Sequence, residues 1–348
     1  MSTTSKSPRR VLLKAYAVAK DALPPYTHPC SPKKFTQSQL FACLVLKEFF
    51  KTDYRGIVAI LHDAPSLSEA IELRAVPHFT TLQKAAVRLT RKAQIDQLLT
   101  ATIQHAVRGS VLNEIVDLAA MDGTGLESRH VSRYFVQRRE RGTGRCQTTT
   151  YRRFPKLGAV CDCRSHLILC AVPGRGRGPD IRHYEQVLRE AVDRVPINTL
   201  VADAGYDSEA AHVFGRATCG VHTIIPNKSG RPTTKPPSGT HRREMSESFD
   251  RDTYGQRWQI ETAFSMLKRN LGSALRARTY WSQCRESMLR VITHNVMIVF
   301  APVEVFYGAS LFSSPNRGTV LANLTSESPI RRQRPIALGR NAPTRCAC

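Results

Sequence analysis

Acidic residues are scarce in this chain: 28 Asp and Glu stand against 51 Lys and Arg, a formal net charge of +23 over 348 residues. An imbalance of that size points to a polyanionic partner. Long apolar runs are lacking as well. The most apolar stretch, VITHNVMIVFAPVEVF from Val291, is broken by His294, Asn295, Pro302 and Glu304. It falls short of the roughly 18 unbroken residues that a spanning helix needs, so no membrane is expected and nucleic acid is the better partner. The first residues, MSTTSKSPRRVLLKAYAVAK, are basic but have no clean apolar core or cleavage site, and no secretory leader is expected. The ten cysteines include no CxxC pair; Cys161-x-Cys163 and Cys346-x-Cys348 are the close ones. That spacing predicts reduced thiols in a cytosolic protein rather than zinc ligands or a disulfide framework.

What is present is a hydrophobic fraction of 41%, arranged in two patterns. Residues 1–112 read as helical throughout. In FTQSQLFACLVLKEFFK, Thr36 is a candidate N-cap for a helix ending near Lys51, and after Pro77 either Thr80 or Thr81 can cap another. Short helices leading to a segment that carries Lys84, Arg88, Arg91 and Lys92 are arranged like a helix-turn-helix unit, so these four are candidate DNA contacts. A plain bundle with solvated charges is the alternative.

From 113 to 311 the pattern is α/β. EIVDLAAMDGTGLE reads as a strand, and KLGAVCDCRSHLILCAVPGRG as two more joined by a hairpin near Asp162–Ser165. DIRHYEQVLREAVDRV is an amphipathic helix, NTLVADAGYDSEAAHVFGRA a strand, turn and helix, and VHTIIPNK a further strand. This order implies a mixed sheet flanked by helices. The Pro-, Ser- and Arg-rich segment 229–248 reads as a basic flexible insertion, and 312–348 as a disordered basic tail.

Two aspartates end apolar strands next to glycine: Asp122 in MDGTG and Asp203 in ADAGYD. Ligands gather at such strand ends in open α/β sheets, and a carboxylate there suits a hard cation. A third acid lies in YGQRWQIETAFSMLKRN, which reads as one uninterrupted helix. At about 100° per residue, Tyr254, Arg257, Glu261 and Lys268 fall on a stripe about 60° wide and about 21 Å long, beside the apolar Ile260, Ala263, Phe264 and Leu267. An Arg257–Glu261 salt bridge would explain part of that stripe, but not Tyr254 and Lys268. Two divalent ions held by Asp122, Asp203 and Glu261 would clamp a phosphodiester for in-line displacement.

Tyr254-x2-Arg257-x3-Glu261-x6-Lys268 resembles the YREK signature of DDE transposases in the insertion-sequence four/five superfamily, and Asp122 and Asp203 resemble their first two catalytic acids. The resemblance covers roughly 115–299. It implies an RNase H-like catalytic core preceded by an all-helical N-terminal DNA-binding region. It also implies Asp122, Asp203 and Glu261 as catalytic metal ligands, with two Mg²⁺ ions expected and Mn²⁺ plausible, and Tyr254, Arg257 and Lys268 as DNA contacts. The partners would be double-stranded DNA, both terminal inverted repeats and target, engaged by a homodimer in the bacterial cytoplasm. A transposase-derived DNA binder without catalysis and a nuclease that cuts without joining are the alternatives.

Other residues carry lesser expectations. Asp207 caps the helix after it; Asp117, Glu127 and Asp162 are structural or surface acids. His130, His183 and His294 show no metal spacing. Trp258 either stacks on an unpaired base or packs in the core.

Overall fold

A computed structural model describes residues 4–30, 32–128, 136–140, 147–151, 154–176, 178–228 and 236–299. Those residues all lie in one unit, Met1–Val303. The expectations for His130, for the first part of the insertion (229–235) and for 300–348, including the tail from 312, lie outside the described residues.

Six helices come first: α1 (Pro8–Ala22), α2 (Gln37–Phe49), α3 (Tyr54–Asp63), α4 (Pro65–Ala70), α5 (Phe79–Leu89) and α6 (Lys92–Arg108). Thr36 caps α2 in a reciprocal capping box with Gln39, which satisfies two backbone donors otherwise left open at a helix start. The cap of α5 is His78 and not Thr80 or Thr81: its ring accepts the Thr80 N–H at 3.4 Å, so the helix starts slightly earlier than a hydroxyl cap would place it. Gln37 to Glu48 are all buried, so α2 is a central helix.

The strands that follow are β1 (Val116–Gly125), β2 (Glu127–Ser128), β3 (Val136–Glu140), β4 (Gln147–Tyr151), β5 (Pro155–Asp162) and β6 (Ile168–Arg175). Next come α7 (Tyr184–Val192), β7 (Ile197–Ala202), α8 (Glu209–Val213), β8 (His222–Ile224), α9 (Thr240–Glu247), α10 (Arg251–Tyr254), α11 (Trp258–Leu271), β9 (Ala274–Leu275) and α12 (Tyr280–Val299). The main sheet runs β6-β5-β1-β7-β8. β5 is antiparallel to both β6 and β1, and β1, β7 and β8 are parallel. This is the mixed, helix-flanked RNase H-like arrangement, preceded by the helical region.

Alternation along the strands builds two cores. Ala120, Leu157, Ala159 and Cys161 face a cluster shared with α1, α2, α11 and α12. Ala119, Met121, Val160 and Leu169 face the one under α7. Arg290 on α12 pins the first layer. It donates to the Gly272 and Ala274 carbonyls at 2.7 and 2.9 Å and to Glu286 at 2.6 Å, and it pairs with Glu48 of α2 at 3.4 Å. Glu48 also pairs with Lys47. Asn295, on the same helix, bonds both backbone groups of Ile168 at 2.8 and 2.9 Å.

The structure corrects two local expectations. The segment from Tyr254 is not one uninterrupted α-helix: Gly255–Arg257 is a 3-10 turn between α10 and α11. Glycine is a poor α-helix former, and the tighter turn advances each residue by about 120°. The stripe geometry therefore holds along α11 and shifts at Arg257. The insertion 229–248 also does not stay a loop, because 240–247 forms α9. Glu209 accepts the N–H groups of His241 and Arg242 at the head of α9, and Arg216 pairs with Glu244 at 2.6 Å.

Candidate active site

The parity of β1 decides which of its side chains can meet α11. Ala120 packs on the α11 side while Ala119 and Met121 pack on the other, so Asp122 and Thr124 continue the α11 side. Arg257, at the junction of the 3-10 turn and α11, spans two carboxylates there. Its Nη1 lies 3.2 Å from Asp122 Oδ2 and its Nη2 donates to Glu261 Oε1 at 2.7 Å. Further along α11, Lys268 Nζ donates to Thr124 Oγ1 at 2.7 Å. Tyr254 packs against Phe249, the rings tilted by 60° with centres 5.1 Å apart, and against the core beneath.

Asp203 arrives from the neighbouring strand. Met121 and Ala202 are register partners of the parallel β1 and β7, so Asp122 and Asp203, one residue on in each, leave the sheet at the same level. Both are oriented by their own turns. Asp122 Oδ1 accepts the Gly123 N–H and Asp203 Oδ1 that of Gly205, each at 2.7 Å. Burial holds the Asp122 carboxyl above its ordinary pKa and the nearby Asp203 and Asp180 charges add to this, while the Gly123 N–H and Arg257 oppose it. Burial also works against the Arg257 charge, but Glu261 and Asp122 more than offset it and hold that pKa high. The Lys268 ammonium is pulled down by burial, against the field of Glu127.

Asp180, which the sequence did not single out, stands at the same strand end on the other face. It pairs with Lys156 at 2.5 Å and presses so close under Gly123 that a Cβ there would meet its Oδ1 at 2.5 Å. Its only signal in the sequence is a position just before an amphipathic helix. Tyr206 is buried beside Asp122, Asp180 and Asp203, and burial first, then their combined charge, pushes its phenol up. Among the described residues no group of three or more His, Cys, Asp or Glu is arranged to hold an ion; the cation that Asp122 and Glu261 share is Arg257.

The remaining predicted residues are dispersed. Lys84 is exposed and Arg88 half-buried on α5, and Arg91 is exposed at the head of α6. Lys92 is engaged by Glu190 and Asp96 at 2.7 and 3.1 Å. Asp207 does not cap α8, since Ser208 does; the Asp207 carboxylate is nearly fully buried and accepts two bonds from Arg242 at 2.7 Å. Trp258 is 52% exposed, which removes core packing as its role. It lines a cleft of about 690 Å³ with Arg164 and Arg269. His294 is buried and bonds the His166 carbonyl at 3.0 Å, and His183 packs beneath Gly158 and Gly174. Asp162 is a buried turn acid that accepts from Ser165. Asp117 and Glu127 are exposed.

Residues 117–296 match the transposase DDE domain, just over half of the chain. No curated protein matches the sequence. Among solved structures, a piggyBac transposase synaptic complex with hairpin DNA aligns over 86% of this chain and 73% of its own, at 12% identity and a TM-score of 0.42. A Mos1 mariner paired-end complex with Mn aligns over 82% of each chain, at 12% identity and a TM-score of 0.22. The domain match spans Asp122, Asp180, Asp203 and Glu261, from β1 to α12, and by it the chain belongs to the DDE transposase-domain family, with that family's polynucleotidyl transfer chemistry and use of divalent metal.

Proposed function

We propose that this chain is an insertion-sequence transposase of the four/five superfamily, with Asp122, Asp203 and Glu261 as its catalytic acids. The observation that carries this reading is the Arg257 bridge. Asp122 and Arg257 are 135 positions apart in sequence, yet one guanidinium holds both Asp122 and Glu261, and Asp203 leaves the adjacent strand at the same level. The donors are all carboxylates, hard oxygen ligands that fit Mg²⁺ or Mn²⁺ and not a thiophilic metal. The fit requires Arg257 to release at least one of them. Asp122, Asp203 and Glu261 would then hold two divalent ions, which when bound supply charge neutralisation at the scissile phosphate and an acidified water or 3′-hydroxyl.

The chain's own residues supply the rest. Arg257, freed from carboxylates, forks onto a phosphate. Lys268, kept in place by Thr124, offers a point charge, and the half-buried Tyr254 a single phenolic donor. Gly123 and Gly205 fix the two aspartates so that their oxygens need little rearrangement. The substrate would be the terminal inverted repeats of the element, nicked to free a 3′-hydroxyl that is joined to target DNA, with a homodimer holding both ends in the bacterial cytoplasm. The helical region through residue 112 would contact DNA through Lys84, Arg88, Arg91 and Lys92, while the region from 113 carries the chemistry. Incubation of the purified chain with labelled terminal-repeat duplex and Mg²⁺ tests this. Strand transfer products are expected. Cleavage without joining would make the chain a nuclease, and binding without cleavage a transposase-derived DNA binder.

A further inference from the structure

Where the α5–α6 corner meets the start of α12, cations outnumber the carboxylates available to them. Two grooves of about 350 Å³ each meet there and share Thr90 and Arg285. One runs from Gln83 and Val87 on α5 to Arg276 and Arg278 ahead of α12. The other runs from Arg91 to Tyr280 and Trp281. The acids along both are already engaged. Glu286 accepts the N–H groups of Arg276 and Ala277 and pairs with Arg290. Glu48 pairs with Lys47 and Arg290. Asp53 accepts the Gly56 N–H at the head of α3, and Asp96 pairs with Lys92 and Arg194. Arg91, Arg278 and Arg285 have no carboxylate partner among the described residues.

The aromatic content of the surface is as unusual as its charge. Trp281 is 69% exposed, and Tyr280 beside it lies under the Arg175 guanidinium at 4.9 Å. A large indole left in water among unpaired guanidinium groups forfeits the burial that normally places tryptophan inside. The combination suits a ligand with both phosphates and flat rings. Guanidinium groups fork onto phosphate oxygens, and aromatic faces pack against sugars and bases.

We infer that this junction is a DNA-binding track separate from the acidic centre: double-stranded DNA lies across it with phosphates on Arg91, Arg278 and Arg285 and with Trp281 against the strand. The inference rests on the transposase reading and extends the predicted helix-turn-helix contacts, of which it shares Arg91, by Arg278, Arg285 and Trp281. It joins the exposed side of α5 and α6 to the start of α12, so one stretch of DNA would touch both the helical region and the last helix of the catalytic region. Lys92, held by Glu190 and Asp96, contributes little to it.

The test uses the full chain and a fluorescein-labelled duplex of random sequence, about 30 bp long, with affinity followed by anisotropy from about 50 to about 300 mM NaCl. Removing one cation that neutralises a phosphate should reduce the slope of log affinity against log salt by about 0.9. Replacing both arginines (Arg278→Ala with Arg285→Ala) should therefore flatten it by nearly two and weaken binding about 10-fold or more. The charge-preserving pair Arg278→Lys with Arg285→Lys should keep most of the slope. The chain has two tryptophans, so Trp258→Phe leaves Trp281 as sole reporter, and its emission should be quenched when duplex is added. A wild-type slope and affinity in the alanine pair, an unquenched Trp281, or tighter binding to phosphatidylserine vesicles than to duplex would each overturn the track. Failure of the wild-type chain to bind any duplex would instead remove the transposase reading itself.

Discussion

Asp122 sits between opposing neighbours: burial and the Asp203 charge favour its neutral form, and Arg257 and the Gly123 N–H favour the anion. Its position depends on Gly123 having no side chain, because Asp180, fixed by Lys156, fills the space where one would go. Gly123→Ala should destabilise the chain by roughly 1–3 kcal/mol through overpacking and depress cleavage, with duplex affinity nearly unchanged. Adding Asp180→Ala should restore most of the stability, as read by urea unfolding; no rescue would show that the strain lies elsewhere. The Arg257 bridge gives a second prediction. Lysine lacks the fork that spans Asp122 and Glu261, so Arg257→Lys should bind Mn²⁺ in the absence of DNA more tightly than wild type, measured by calorimetry. Equal affinity would mean that Arg257 does not compete for the acids. Along α11 the Glu261 and Lys268 spacing was legible because a helix converts spacing into a face, whereas Tyr254 and Arg257 lie before it across the 3-10 turn. Asp180 was not, because what gives it meaning is a loop folding back under Gly123.

Among the elements, α9 teaches most about what local sequence conveys. Its segment is rich in Pro, Ser and Thr and reads as a loop, yet residues 240–247 are helical. The reasons lie in other elements: Glu209 engages the first N–H groups, Asp207 takes the Arg242 fork, and Arg216 takes Glu244. Arg242→Ala would leave the buried Asp207 without its cation. Since Arg242 is itself about a quarter exposed, the expected loss is roughly 2–3 kcal/mol, at or below the low end for a broken buried pair. Limited proteolysis should then cut near α9 first; an unchanged cleavage map would contradict the tie. The same contrast runs through the caps. Thr36 was readable as a cap from its hydroxyl and position, whereas its reciprocal partner Gln39 was not read, and His78 acts through a ring nitrogen that no hydroxyl rule anticipates. The 3-10 turn at Gly255–Arg257 likewise shows where a uniform 100° step fails.

Across the whole molecule, the five main-sheet strands were readable in chain order from their apolar runs, but their spatial order was not, because β1 lies between β5 and β7, and β2, β3, β4 and β9 gave no apolar signal. Nor was the shared core, because nothing local announces that α2 packs with α12 through Arg290 and Glu48. Two fully buried histidines, His212 on α8 and His294 on α12, give the fold a pH signature. Burial holds both down to about 4, while in the unfolded chain they titrate near 6.5. Between those values the unfolded chain binds more protons. Stability should therefore be complete above about pH 6.5 and fall toward pH 4, by up to about 1.4 kcal/mol per pH unit for each histidine. His294→Gln should reduce that slope by up to about 1.4 kcal/mol per pH unit in urea titrations between about pH 4.5 and 7.5, with His105 and His222, also held down by burial, carrying part of the remainder; an unchanged slope would assign the acid sensitivity to other groups.

The charge surplus and the acidic centre make one account, in which basic surfaces hold DNA and three carboxylates act on it. Its most direct test is Glu261→Gln, assayed for duplex binding and for Mg²⁺-dependent cleavage of the labelled terminal repeat in parallel. The account predicts binding within about twofold of wild type and cleavage reduced by about 1,000-fold or more, as expected when a metal-holding group is removed. Cleavage at the wild-type rate, or loss of binding together with cleavage, would contradict it.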